Sequence, residues 1–223
     1  MIHSKTDETI ILWGVSISPY VRKVMVALAE KNLAYEQRET LPKALLKAIG
    51  ESISPEFNTA SPLGKIPAIS IGNYSIADSA VIAGYLDRKF STGNKLYPDN
   101  AESYALALWF EHFSDTTLTT VSYQKIFLEK VVKPKVLGHQ PNLELVNQAI
   151  NKELPPLLDY LNQEIANREW FSGDTFSMAD VAIATQLLAL EMCGVTVVEQ
   201  YQDLRAHFEK TIKRKSFESI CSK

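Results

Sequence analysis

The sequence predicts a protein in two parts, an α/β part followed by an all-helical part, and three observations carry that prediction. Up to Phe90 the apolar residues repeat with strand and helix periods in the order β-α-β-α-β-β-α. Residues 91–100 are polar and carry Gly93 and Pro98, as connecting segments do. Beyond them no convincing strand pattern recurs. The division falls between Phe90 and Ala101, giving units of residues 8–91 and 98–221.

Each element has its own signal. Residues 9–13 (Thr-Ile-Ile-Leu-Trp) form a short apolar, branched run ending at Gly14, which reads as a buried strand. From Val21 the apolar residues Val21, Val24, Met25 and Leu28 recur at i, i+3, i+4, i+7, the period of a helix. Residues 33–38 read as a weaker strand, and 42–49 as a short helix with Leu45, Leu46 and Ile49 inward. Residues 50–64 are rich in Ser, Pro and Asn and are expected to be mostly loop. Residues 68–71 and 74–76 flank Gly72-Asn73, a two-residue hairpin signal. Val81, Ile82, Tyr85, Leu86 and Phe90 then mark an amphipathic helix.

In the second part, residues 101–132 read as one long helical stretch and 142–166 as another, kinked near Pro155-Pro156. Ser177 lies three residues before Asp180, with Phe176 and Val181 flanking them, a spacing that fits a capping box closed by a hydrophobic staple. Residues 178–192 are apolar on several faces and should form the centre of the helical part.

Composition narrows the function. Hydrophobic residues make up 46% and charged residues 22% of the 223 positions, enough to bury a core. The formal net charge is -3, from 23 basic and 26 acidic residues, so no general field attracts phosphate backbones or anionic lipid, and no nucleic-acid or membrane partner is expected. The basic residues between Lys210 and Lys215 read as a solvated helix face. Cys193 and Cys221 are too few for a disulfide framework and have no metal-ligand spacing to the four histidines, which points to a reducing, cytoplasmic setting and to no metal. There is no GxGxxG, GxxxxGK[ST], HExxH, GxSxG or CxxC.

What remains is three junctions of the first part. Ser18-Pro19 opens the first helix as N-cap and N1; the bland role is a cap, the functional one a hydroxyl at a helix end that favours an anion. Ile66-Pro67 leads into a strand, where the backbone of Ile66 could pair with an extended peptide. Asp78-Ser79 opens the helix containing Val81, where an acid again suits a cap.

Together, Ser18, Ile66-Pro67 and Asp78-Ser79 resemble the first-domain pattern of the glutathione transferase superfamily, and residues 18–24 (Ser-Pro-Tyr-Val-Arg-Lys-Val) look like its serine-using classes. Residues 171–184 resemble the family's second-domain capping motif. The resemblance implies a thioredoxin-like domain followed by an all-α domain, homodimers, and glutathione as co-substrate for attack on a hydrophobic electrophile. By the same resemblance Ser18 would hydrogen-bond the glutathione sulfur, Ile66 would pair with the cysteinyl unit beside a cis Pro67, and Asp78 with Ser79 would hold the γ-glutamyl end. Lys43 or Lys47 could meet the glycyl carboxylate, with no motif to choose between them, and Trp109, Phe113 and Thr117 on the first long helix could line the electrophile pocket or serve the helix core instead. Ser16 is a second hydroxyl two positions from Ser18. Two other readings stay open: glutathione-dependent isomerisation or dehalogenation, and a non-catalytic ligand carrier.

Overall fold

The computed structural model describes residues 9–197 and 199–221. The first half contains β1 (Ile10–Trp13), α1 (Pro19–Glu30), β2 (Tyr35–Arg38), α2 (Lys43–Ala48), α3 (Pro55–Ala60), β3 (Ala68–Ile71), β4 (Tyr74–Ala77) and α4 (Ser79–Lys89). The strands form one mixed sheet in the order β2-β1-β3-β4, with β1 parallel to β2 and antiparallel to β3, and β3 antiparallel to β4. Alternation along the strands sends Ile10, Leu12, Ile69 and Ile71 to the face covered by α1 and α4, while Trp13 and Ala68 meet Phe57 and Ala60 of α3 on the other.

α3 lies inside the stretch expected to be loop. Its Ser54 N-cap accepts a hydrogen bond from the Phe57 amide at 3.0 Å and Pro55 sits at N1, but six residues are too few to show a period. Two expected inward positions point out instead: Ile49 is 36% exposed, just past α2, and Val81 is 50% exposed, because α4 buries the Ile82, Ala83 and Leu86 stripe.

The second half is helical. α5 (Ala101–Phe113) continues through wide π-type turns at Ser114–Leu118, one α-helical turn, α6 (Thr119–Val121), and further wide turns at Ser122–Leu137. α7 (Leu143–Gln148) and α8 (Leu154–Ile165) are joined by a wide turn at Ala149–Glu153 immediately before Pro155-Pro156, where the missing amides rule out regular bonding. α9 (Met178–Met192), α10 (Gln202–Ile212), a short 3-10 turn (Lys215–Phe217) and α11 (Glu218–Cys221) complete the described chain. From Met178 to Leu190 every residue of α9 is buried, and the helix packs on α5 and α10 and also on α1 of the first half, so one apolar core runs through both halves.

Asp180 organises the start of α9. Its Oδ2 accepts from the Ser177 amide at 2.8 Å, while Oδ1 accepts from the Phe171 amide at 2.9 Å and lies 2.8 Å from His207 Nε2. The capping box is thus formed, and its acid also ties α10 to the turn before α9. Phe176 meets the edge of Trp170 and lies 3.8 Å from the guanidinium carbon of Arg214.

The basic residues of the last helices are more than a solvated face. Arg214 donates from Nε at 2.9 Å and Nη2 at 3.0 Å to Glu30, the last residue of α1, which also accepts from Ser216 and Asn94 at 2.6 Å each. Burial alone would raise the Glu30 pKa, but the bonds from Arg214, Ser216 and Asn94 outweigh it and hold the carboxyl below its ordinary value. A depressed folded pKa stabilises fully above the unfolded value of about 4.3 and is lost as pH falls through the folded one. Glu30→Gln is therefore expected to lower the thermal midpoint at pH 7 by about 5 °C, with the gap closing below about pH 4. A gap independent of pH in thermal melts would exclude the ionic contribution.

Candidate functional site

The sheet register brings the three junctions together. Trp13 pairs with Ala68, and Ala68 pairs with Ala77, so the end of β1, the start of β3 and the end of β4 lie side by side. The loop to Ser18, the Ile66-Pro67 pair and the Asp78-Ser79 pair leave the sheet from that one edge. Gly14 makes the approach possible: its φ is +140°, and a Cβ there would come within 2.5 Å of Val21 and 3.2 Å of Ile66.

Ser18 is the N-cap of α1 in extended conformation, with Pro19 at N1, but its hydroxyl caps no amide. Ser54, Asp78, Asn100, Asn142 and Ser177 all use their side chains as caps. Ser18 is 8% exposed, and its hydroxyl has no hydrogen bond among the described residues. The helix end is thus left with an uncommitted donor and its own partial positive charge. Ser16 is differently placed: Gln37 Nε2 approaches its hydroxyl at 3.4 Å, and Arg22 Nε donates to its carbonyl at 2.7 Å.

The Ile66–Pro67 bond is cis. Neither the N–H nor the C=O of Ile66 has a backbone partner among the described residues, so an extended chain can pair there. The Asp78 amide donates to the Pro67 carbonyl at 3.3 Å, linking the second junction to the third. Asp78 has φ +83°, a region that costs a non-glycine residue on the order of 1–3 kcal/mol and is held where surrounding structure requires it. Its Oδ1 accepts from the Ala80 amide at 3.0 Å and the Val81 amide at 3.2 Å, leaving Oδ2 uncommitted among the described residues. Ser79 is buried at the first turn of α4.

A polar layer ties this edge to the helical half, and nothing in the sequence signalled it. Lys23, 1% exposed, pairs with Glu111 at 2.8 Å and with Asp115. Tyr97 donates to Glu111 at 2.8 Å, and Tyr20 donates to the Asp115 carbonyl at 3.1 Å and to Thr119 at 3.0 Å. Burial alone would lower the Lys23 pKa, but Glu111 and Asp115 outweigh it and raise it. Asp115 is itself raised, first by burial, with Lys23 opposing and Glu111 and Asp78 adding to the rise. Burial pushes the Tyr20 hydroxyl up to about 12, and that group is already spent as a donor.

Other candidate groups are occupied or distant. Lys43 Nζ is tied to Asn58 at 2.6 Å and to the Pro62 carbonyl at 2.9 Å, whereas Lys47 and Lys65 make no ion pair among the described residues. Trp109 is 52% exposed and donates to Tyr160 of α8 at 2.8 Å, the buried Phe113 ring packs on that same tyrosine at 5.1 Å, and Thr117 is exposed. Burial pushes the Cys193 thiol up to about 11 and raises that of Cys221, so neither thiol is activated. Among the described residues no group of three His, Cys, Asp or Glu could hold a metal, and no helix is long and apolar enough to cross a membrane. Two hollows, of about 670 and 560 Å³, are lined by other residues, around Glu191 and Phe208 and around Trp13 and Arg38.

Comparison with known proteins bears on the family and the fold. Residues 12–95 match the family model for the glutathione S-transferase N-terminal domain, and residues 123–215 that for the C-terminal domain. The chain is 30% identical over 211 residues to glutathione S-transferase A of Pleuronectes platessa, covering 94% of this chain and 89% of that one. It is also 30% identical over 174 residues to glutathione S-transferase 3 of Zea mays, covering 76% and 72%. The solved structure of a glutathione S-transferase from Rhodospirillum rubrum F11 superposes with a TM-score of 0.85 at 23% identity, over 96% of this chain and 93% of that one. With its thioredoxin-like first half and all-helical second half, the chain belongs to the glutathione S-transferase family.

Proposed function

We propose that this glutathione transferase activates glutathione through Ser18 and delivers the thiolate to a hydrophobic electrophile. The observation that carries this reading is the Ser18 hydroxyl: a buried serine at a helix N-cap that leaves every amide uncapped holds a donor free for a ligand. A thiol like that of cysteine has a pKa of about 8.5, so little is ionised at pH 7. A hydrogen bond from Ser18 and the positive end of α1 favour the thiolate. A shift of about two pH units would represent about 2.7 kcal/mol. Ser18 is then a donor and the attacking atom is the glutathione sulfur.

The rest of the tripeptide follows the sheet edge. The free N–H and C=O of Ile66, beside Pro67, suit the cysteinyl backbone, and the free oxygen of Asp78 with Ser79 suits the γ-glutamyl ammonium and carboxylate. Lys47, and Lys65 adjacent to Ile66, make no ion pair among the described residues and are free to meet the glycyl carboxylate, whereas the Lys43 ammonium is engaged. The functional units are residues 8–91, which bind glutathione, and 98–221. Exposed Val81 and Tyr74, the latter stacked on Tyr85 at 4.9 Å, support association as a homodimer, and two free cysteines fit a cytoplasmic setting.

The test is retention on immobilised glutathione together with conjugation of a chloronitroaromatic substrate. Retention without turnover would favour a ligand carrier. Asp78→Asn keeps the cap and tolerates the positive φ while removing the charge, so it is expected to raise the glutathione dissociation constant at least tenfold and to change turnover at saturation less than threefold. Calorimetric titration showing unchanged affinity would remove Asp78 from the site.

A further inference from the structure

Arg22 carries a charge that no carboxylate among the described residues balances at ion-pair distance. It is 5% exposed, yet its guanidinium pairs with no carboxylate among the described residues. Nε donates to the Ser16 carbonyl at 2.7 Å and Nη1 lies 3.1 Å from Met192 Sδ, a weak acceptor. Its neighbour Lys23 contrasts with it, being matched to two carboxylates. Burying a cation without a counter-charge is unfavourable, so an unmatched guanidinium in a packed position points to an anion that arrives with the ligand.

Its place in the fold says which anion. Arg22 is one helical turn beyond Ser18 and donates its own amide to the Ser18 carbonyl at 3.0 Å, while its side chain reaches back to Ser16 on the other side of Ile17. The guanidinium therefore spans the loop that presents the candidate thiol donor. The groups facing it are Met192 of α9 and the Cys221 thiol of α11, with Glu191 acting on that thiol in turn. On the neighbouring face of α1, Tyr20 and Lys23 are spent on Asp115, Thr119 and Glu111.

We propose that Arg22 is a positioning residue for thiol activation, which fixes the loop of Ser18 through the Ser16 carbonyl and places an uncompensated positive charge one turn from the bound thiolate. This rests on the reading of Ser18 as the thiol donor to glutathione. The geometry gives Arg22 two separable effects, because the hydrogen bond to Ser16 sets where the hydroxyl points and the charge sets how readily the thiol ionises.

The experiment compares wild type, Arg22→Met and Arg22→Lys by calorimetric binding of glutathione, by the ultraviolet absorbance of its thiolate against pH, and by conjugation rate against pH. Arg22→Met is expected to leave glutathione affinity within about threefold, to move thiolate formation up by about one pH unit, and to lower the rate at pH 6.5 about tenfold with recovery toward pH 9. Arg22→Lys, which keeps the charge without the planar fork, is expected to restore at least half of that movement. A thiolate titration unmoved in Arg22→Met overturns the proposal, as does an equal movement in both variants. If Arg22→Met does not fold, Arg22→Gln and Arg22→Lys are compared in the same way, and equal titrations again overturn it. If wild type itself neither binds glutathione nor ionises its thiol, the Ser18 reading fails instead.

Discussion

Lys23→Met is expected to destabilise the protein by about 3–5 kcal/mol, because it removes the cation paired with the buried Glu111 and the partly buried Asp115. Glu111 is 2% exposed and Asp115 already sits above its ordinary pKa through burial, so without Lys23 both must bind protons or draw in water. The loss should appear as a lower urea midpoint with an unchanged slope. The pH dependence has a definite sign: the raised Lys23 pKa means that its stabilisation is complete below lysine's ordinary value of about 10.4 and is lost as pH rises through the folded one. Replacing Lys23, Glu111 and Asp115 together by Met, Gln and Leu, which keeps an acceptor for the buried Tyr97 hydroxyl, should restore most of the loss, since an uncharged set of similar size carries less desolvation cost. If Lys23→Met alone unfolds at the wild-type midpoint, the pairing contributes nothing to stability.

Ser18→Ala is expected to lower turnover tenfold to a hundredfold, the effect of about 1.5–3 kcal/mol from one hydrogen bond to a charged sulfur, with glutathione affinity within about threefold of wild type. The acid limb of the pH-rate profile should move upward. Stability is the useful control here. An N-cap serine usually contributes about 1 kcal/mol, but this one makes no cap bond, so the thermal midpoint should hardly change and lost activity cannot be ascribed to unfolding. Ser16→Ala, at a hydroxyl approached by Gln37, should leave the pH profile in place. Unchanged turnover in Ser18→Ala, with activity abolished in Ser16→Ala, would reassign the donor.

What could be read from the sequence and what could not follow from the range of the interactions involved. The strands, α1, α4, the turn at Gly72 and the capping box at Ser177 and Asp180 announce themselves because their causes lie within a few residues. The junction residues were visible for the same reason, as local caps and a strand-entry proline. α3 was missed despite its Ser54-Pro55 start, since a helix of six residues yields too short a pattern. Val81 was assigned inward because period alone cannot choose between two adjacent apolar stripes. Lys23, Arg22 and Asp115 were invisible as a set. They meet across 92 positions of sequence in one case and against a backbone carbonyl in the other, and a lysine beside an arginine on a helix ordinarily means a solvated face.

The match between Lys23 and its two acidic partners also sets a rule for recombining this protein with its relatives. A crossover in residues 91–100 would separate Lys23, on the first segment, from Glu111 and Asp115, on the second. Exchange at that point joins well-formed halves with unmatched charges, giving either a stranded ammonium or two stranded acids at the seam. Functional chimeras should therefore come from parents that agree at positions 23, 111 and 115, or from crossovers placed after Asp115, where the donor set travels as one piece.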